Sequence, residues 1–265
     1  MKVQKNMLSK ENGGRAVIMA HLVAYFPDRN GSIETALALM DGGASYLEVQ
    51  FPFSDPTADG PAIQYACEMA LEKGFTVEKG FELIREIRKI SNIPIFVMGY
   101  ANTVFYRSTS LFPYEAAESG AYGLIIPDLP FDSDEGLYSE GEKAGLEVVP
   151  VIAPSISESR LGLILECRSR FIYAALRVGI TGTLTDIDIS TIQFLKRINA
   201  RGKLTIGGFG IYEREQVEKL APHLHACVVG SAFIREIVNR GNSSIYDAVK
   251  KKMEELCRAN SRKRN

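Results

Sequence analysis

Tyr46-Leu47-Glu48-Val49-Gln50-Phe51-Pro52-Phe53-Ser54-Asp55-Pro56-Thr57-Ala58-Asp59-Gly60-Pro61 is a short apolar run that leads into a stiff, carboxylate-bearing loop. Tyr46 to Val49 has the length and composition of a buried strand, and the three prolines and the Asp-Gly pair after it turn the chain back on itself. Short apolar runs followed by longer segments of helical spacing recur on both sides of this stretch. Strands are expected at Val17 to Val23, Tyr46 to Val49, Ile95 to Met98, Gly123 to Ile126, Glu147 to Ile152, Phe171 to Ala175, Lys203 to Ile206 and Ala226 to Val229. Most are apolar throughout, the pattern of parallel strands covered on both faces. Helices are expected at Ser32 to Met40, Val77 to Ile90, Glu115 to Ser119, Ser133 to Ala144, Ser157 to Arg168, Ile189 to Asn199, Glu213 to Leu220 and Ser244 to Arg258. Ser32 suits an N-cap with Glu34 in the first turn, and Gly42-Gly43 and Gly145 stand where helix ends need a left-handed residue. Eight such units favour a closed barrel over an open sheet, because closure removes both exposed edges. The expected class is α/β, a single-domain (β/α)8 TIM barrel over residues 1–265, with 1–14 a lead-in and 259–265 a frayed basic tail.

Composition narrows the function classes. With 265 residues, 46% hydrophobic and 24% charged, the chain can bury one large core. Lys+Arg total 31 against 32 for Asp+Glu, so no overall positive field draws nucleic acid or anionic lipid, and an anionic ligand must be held locally. Cys67, Cys167, Cys227 and Cys257 form no CxxC pair and read as reduced thiols. No window approaches a membrane span, and Met1 to Lys5 lacks the apolar stretch of a secretion signal, so the chain is expected to be soluble and cytoplasmic. His223 and His225 have strand-like spacing but no acidic or cysteine neighbour, and read as surface histidines rather than metal ligands.

In a barrel the reactive groups sit on loops after the strands' C-terminal ends. Glu48 lies inside an apolar strand, where an ionised glutamate is costly unless it is paired or protonated. It reads either as a structural ion pair or as an acid in a site. Asp59 could reach a ligand lying above Glu48, although Asp55 and Asp59, in Asp-Pro and Asp-Gly pairs, are equally ordinary turn residues. Gly182 after the sixth strand, Gly208-Phe209-Gly210 after the seventh and Gly230-Ser231 after the eighth put bare backbone on one side of the mouth, where barrels bind phosphate. A short helix from Ser231 would aim its N-terminus there. The same glycines could simply serve tight turns.

The stretch Glu48 to Gln64 resembles the signature of the tryptophan synthase alpha-chain family, a strand-borne Glu followed by PFSDPxADGPxIQ, and it matches from Pro52 to Gln64. Later matches are Tyr100-Ala101-Asn102, Pro127-Asp128-Leu129-Pro130, Gly179-Ile180-Thr181-Gly182, Gly208-Phe209-Gly210 and Gly230-Ser231-Ala232, so the resemblance covers nearly the whole chain. It implies a lyase that splits indole-3-glycerol phosphate into indole and glyceraldehyde 3-phosphate, without metal or other cofactor. It further implies that Glu48 protonates indole C3 and accepts the hydroxyl proton, while Asp59 stabilises N1. His21, Tyr100, Tyr173 and Phe209 would line the indole pocket. Gly182, Gly208, Gly210, Gly230 and Ser231 would hold the phosphate, and Thr181 would belong to a mobile loop. The implied partner is a pyridoxal-phosphate beta chain in an α2β2 assembly, facing the loops Phe51 to Pro61 and Tyr100 to Tyr106.

The chain also departs from the family pattern. His21 stands where an aromatic residue normally packs on indole, Tyr25 and Gln50 stand where Gly is usual, and Thr183-Leu184-Thr185-Asp186 lacks an arginine often found there. Such changes to the pocket wall motivate an alternative, a catalytically weak subunit that regulates its partner. A sugar-phosphate epimerase or isomerase would share the glycine clusters but would not need the loop from Glu48 to Asp59.

Overall fold

A computed structural model of the chain describes residues 16–176, 187–199, 202–208 and 210–258. Its strands are β1 Ile18–Val23, β2 Tyr46–Gln50, β3 Ile95–Met98, β4 Gly123–Ile125, β5 Glu147–Val149, β6 Val151–Ile152, β7 Phe171–Ala175, β8 Leu204–Gly208 and β9 Ala226–Val229. All pairs are parallel, in the order β5-β4-β3-β2-β1-β9-β8-β7-β6. The expected strand from Glu147 to Ile152 is divided at Pro150, which has no N–H to give to a ladder. Its first half pairs with β4 and its second with β7, while the Pro150 carbonyl still accepts from Tyr173 N at 2.9 Å. Eight staves therefore close the (β/α)8 barrel.

Successive strand residues face opposite ways, so steps of two select the barrel interior. On β2 these are Tyr46, Glu48 and Gln50, and the register sets Met19 beside Tyr46 and His21 beside Glu48. Tyr46, Phe96 and Phe171 meet edge-on, with ring centroids 5.4–6.2 Å apart, and fill the lower end of the barrel. This aromatic floor keeps water from reaching the upper layer from below. His225 belongs to the floor: its Nε2 lies 2.7 Å from the Tyr46 hydroxyl, and both it and His223 are half-buried rather than on the surface. The alternate residues face outward under the helices, which explains strands with no polar alternation.

Local signals set the helix ends. The first helix runs Arg29–Asp41, one turn earlier than its periodicity suggests, because Asp28 Oδ1 caps Gly31 N at 2.8 Å. Ser32 instead donates its hydroxyl to the Asp28 carbonyl. Of the glycine pair, Gly43 takes the left-handed conformation at φ 108°, and Gly145 does so at φ 79°. Pro61–Glu72 and Ala101–Arg107 are helices the periodicity does not reveal. Proline at the first position of Pro61–Glu72 costs no hydrogen bond, since that N–H would be unpaired in any case. The segment Ser133 to Ala144 resolves into a short 3-10 turn, Phe131–Ser133, and a helix, Leu137–Lys143. All four cysteines are buried thiols outside any disulfide.

Gly123 is fixed by space alone: a Cβ there would lie 2.4 Å from the Glu147 carbonyl oxygen and 2.7 Å from the Phe96 ring. Gly123→Ala should therefore cost about 1–3 kcal/mol through overpacking. A thermal melt followed by circular dichroism should show a midpoint lowered by roughly 2–4 °C per kcal/mol; an unchanged midpoint would mean the β4–β5 backbone yields freely.

Candidate active site

Glu48 and Asp59 both reach the upper layer of the barrel, each only 3% exposed. Glu48 arrives on β2, and His21 on the neighbouring β1 meets it with Nδ1 2.8 Å from Oε2. The carboxylate is thus both buried and partnered. Asp59 arrives on the loop, whose path is held by Asp59 N donating to the Pro56 carbonyl at 2.9 Å and Gln64 Nε2 donating to the Asp59 carbonyl at 2.8 Å. The two turn aspartates part here, for Asp55 is exposed and bonded to Ser54 while Asp59, the one expected to meet a ligand, is buried.

Two donors converge on one oxygen of Asp59. Gln50 Nε2 lies 2.7 Å and the Tyr100 hydroxyl 2.8 Å from Oδ2. The direction of the Tyr100 donor is fixed, because its oxygen accepts from Ala58 N at 3.1 Å and its ring stacks on Phe53 at 5.4 Å. Asp128 supports the same corner by capping Ala101 N at 2.9 Å. Burial pushes the Asp59 carboxyl above the usual carboxylate range, opposed by His21 and by the Gln50 and Tyr100 hydrogen bonds and reinforced by Glu48. Burial also drives the Tyr173 phenol well up, with both carboxylates adding to the effect, so it stays neutral.

A cavity opens between these groups. His21, Glu48, Asp59 and Tyr173 form its polar wall, Met98, Ile125, Val151 and Val228 its apolar wall, and Gly210, Gly230 and Ser231 one side of its mouth. The space between atoms, open mouth included, is about 570 Å3. The apolar wall residues escaped the sequence reading, yet Met98, Ile125, Val151 and Val228 all follow from stepping by two along strands whose inward parity Glu48 had already set. Gln50 shares that parity.

The expected residues do not all meet the cavity. Tyr100 acts through Asp59 and does not wall the cavity. Gly208 lies behind Tyr173, where a Cβ would come within 2.6 Å of the phenol oxygen, so its bareness makes room for that ring. Gly230 precedes the helix Ser231–Asn239 and offers no side chain to cap it, leaving its N-terminal dipole facing the mouth. Thr181, Gly182 and Phe209 lie outside the described residues. Phe53 is half-buried against Tyr100, whereas Phe105 and Tyr106 are 45% and 75% exposed.

A family model described as "Tryptophan synthase alpha chain" matches residues 7–263. The chain belongs to the tryptophan synthase alpha-chain family. Similar alpha chains include that of Helicobacter hepaticus, 38% identical over 83% of this chain and 85% of that protein, and that of Methanosarcina acetivorans, 37% identical over 91% and 86%. Among solved structures, tryptophan synthase of Mycobacterium tuberculosis superposes with a TM-score of 0.86 at 28% identity, covering 95% of each chain. The Pyrococcus furiosus tryptophan synthase complex gives 0.82 at 30%, covering 92% of this chain and 98% of that one. As a member of this family it is a lyase, and its reaction is cleavage of indole-3-glycerol phosphate in tryptophan biosynthesis.

The raised Asp59 carboxyl carries a stability cost with a definite sign. The folded state holds the proton to higher pH than the unfolded chain, whose aspartates titrate near about 3.9, so burial of Asp59 destabilises increasingly as pH rises above that value. Asp59→Asn should melt higher than the parent at neutral pH, with the difference shrinking towards about pH 4. A variant that melts lower at every pH would show that the donors outweigh burial.

Proposed function

We propose that Glu48 is the acid that protonates indole C3, that Asp59 holds the ring nitrogen N1, and that the phosphate lies at Gly210, Gly230 and Ser231. The carbon leaving group sets the requirement. The bond from C3 to the glycerol side chain breaks easily only after C3 is protonated, when the ring becomes an indolenine whose positive charge spreads to N1. The electron pair of the breaking bond then restores the aromatic ring, and the side-chain hydroxyl becomes an aldehyde as it loses its proton. An acid near C3, an anion near N1 and a base near the hydroxyl meet these needs.

The observation that carries this reading is that two carboxylates, 11 residues apart in sequence, are buried on the wall of one cavity with donors fixing both. With Oδ2 of Asp59 taken by Gln50 and Tyr100, Oδ1 is the oxygen left for N1–H. Tyr173 and the apolar wall suit a flat heterocycle. At the far side, backbone N–H groups and the dipole of Ser231–Asn239 suit a phosphate without any local cation. Thr181, Gly182 and Phe209 keep their proposed places in the closing loop, phosphate cradle and pocket on resemblance alone.

Several further parts of this reading rest on family membership. The partner is a pyridoxal-phosphate beta chain in an α2β2 assembly that receives the indole, and the exposed Phe105 and Tyr106, on the helix that starts beside Tyr100, suit a place in that interface. The chain acts as one domain in the cytoplasm; among the described residues no helix is long and apolar enough to cross a membrane. The regulatory-subunit alternative draws no support from the site, since the residues that depart from the pattern leave both carboxylates in place.

Glu48→Gln should lower indole release from indole-3-glycerol phosphate by about 10²–10⁴, the usual worth of general acid-base catalysis, with binding of a non-cleavable indole-alkyl phosphate retained. Cleavage within about tenfold of the parent, equivalent to roughly 1.4 kcal/mol, would remove Glu48 from the mechanism. Asp59→Asn should lose activity comparably while binding persists.

A further inference from the structure

His21 is used by neither proton step as described above, yet it hydrogen-bonds the acid. Three observations define its position. Its Nδ1 is 2.8 Å from Glu48 Oε2, with both side chains about 5% exposed or less. Its Nε2 is buried with no hydrogen-bond partner, although the residue lines the cavity. Its ring packs on Gly230, where a Cβ would lie 2.9 Å from Cδ2 and 3.0 Å from Cγ. The topology explains the placement, because β1 lies between β2 and β9 and so holds the imidazole between Glu48 and the residue that opens the helix Ser231–Asn239.

A buried imidazole nitrogen without a partner is costly, and such a group in a site wall calls for a ligand atom. The bound substrate supplies one. If C3 lies at Glu48 and the phosphate at Gly230 and Ser231, the three-carbon chain joining them must run along His21, and its polar atoms are hydroxyls. With Nδ1–H donating to Oε2, Nε2 carries the lone pair and is an acceptor.

We infer that His21 is a second catalytic residue, the base that takes the side-chain hydroxyl proton through Nε2 while Glu48 serves only as the acid. The inference rests on the reading of Glu48 as the acid and divides between two residues the work first given to one. Glu48, protonated on Oε1 and accepting from His21 on Oε2, gives its proton to C3. The bond between C3 and the side chain breaks and its pair returns to the ring. The hydroxyl O–H bond breaks, its pair forms the aldehyde C=O, and the proton goes to Nε2. One proton leaves the pair and one arrives, so the Glu48 carboxylate and the His21 imidazolium form together as an ion pair across the existing 2.8 Å contact. The starting tautomers return when Nε2 gives its proton to water entering the emptied cavity and Glu48 Oε1 takes one from that water.

Two variants separate this role from simple support of Glu48. His21→Asn keeps an N–H where Nδ1 stands but has no basic nitrogen, and His21→Phe keeps neither. The measurements are kcat for indole release from indole-3-glycerol phosphate by the full chain, and affinity for an indole-alkyl phosphate that lacks the hydroxyls. A base at His21 predicts that both variants lose about 10²-fold or more in kcat, while binding of the analogue, which offers Nε2 nothing, changes little and reports an intact site. If His21→Asn matches the parent and only His21→Phe is slow, His21 merely holds Glu48 and the inference falls. If both variants match the parent while Glu48→Gln is inactive, Glu48 performs both transfers and the inference falls alone. If Glu48→Gln is active, the underlying reading of the acid fails instead, whatever the His21 variants do.

Discussion

Two carboxylates inside a closed barrel are the constraint around which the rest of the site is arranged. Each would be costly if it stood ionised among apolar groups, and the two repel when both are charged. Donors from adjacent elements meet that cost: His21 reaches Glu48 from the next strand, and Gln50 and Tyr100 reach Asp59. The same donors fix rotamers. A carboxylate held by two hydrogen bonds to one oxygen presents the other in a defined direction, so what makes burial tolerable also aims the group at its target, and little reorganisation remains for the reaction itself.

The barrel delivers this arrangement because strand geometry is periodic in two directions. Along a strand the inward face returns every second residue; across strands the parallel register brings His21 level with Glu48 and Gln50 level with Met98. Residues far apart in the chain therefore form a ring at one height, above a floor of Tyr46, Phe96 and Phe171. The floor matters for chemistry as well as stability. It excludes water from below, so the hydrogen bonds to Glu48 and Asp59 act in a medium where they are stronger than in solvent.

Much of the fold was legible in the sequence because parallel strands buried on both faces leave continuous apolar runs, and β3 and β7 fall where those runs fall. Boundaries were less legible. Asp28 capping moved the first helix by a turn, Pro150 divided a strand, and the helix Pro61–Glu72 began on a proline within a stretch that reads as loop. In the site, Glu48 was visible because a carboxylate inside an apolar run is anomalous. Asp59 was ambiguous, since Asp-Gly is an ordinary turn pair and only the path of the loop decides whether the side chain points inward. Tyr100 was visible as a motif but not in its geometry: whether it touches the ligand or the carboxylate depends on a stack with Phe53 that no local pattern encodes.

The residues least explained by pattern are the ones that most alter the site. His21 and Gln50 depart from the resemblance at separate positions, and as isolated changes each reads as an altered wall. In the structure each hydrogen-bonds one of the two carboxylates. Their effect is therefore not a weakened pocket but a polar layer in which each carboxylate gains a donor from within the barrel. Both substitutions also bring a buried polar atom without a partner, His21 Nε2 and Gln50 Oε1. Evolution seldom retains such atoms in a well-packed interior unless something occupies them part of the time. At His21 the cavity is adjacent, and a hydroxylated substrate is the occupant whose shape places an O–H there. Tyr25, the third departure, makes a different trade. It holds a left-handed backbone at φ 69°, a conformation that favours glycine, and keeps it by packing its ring edge-on against Phe75 at 5.7 Å. Strain in the turn beyond the end of β1 and added donors on the strands themselves are thus separate events, and only the second bears on the chemistry.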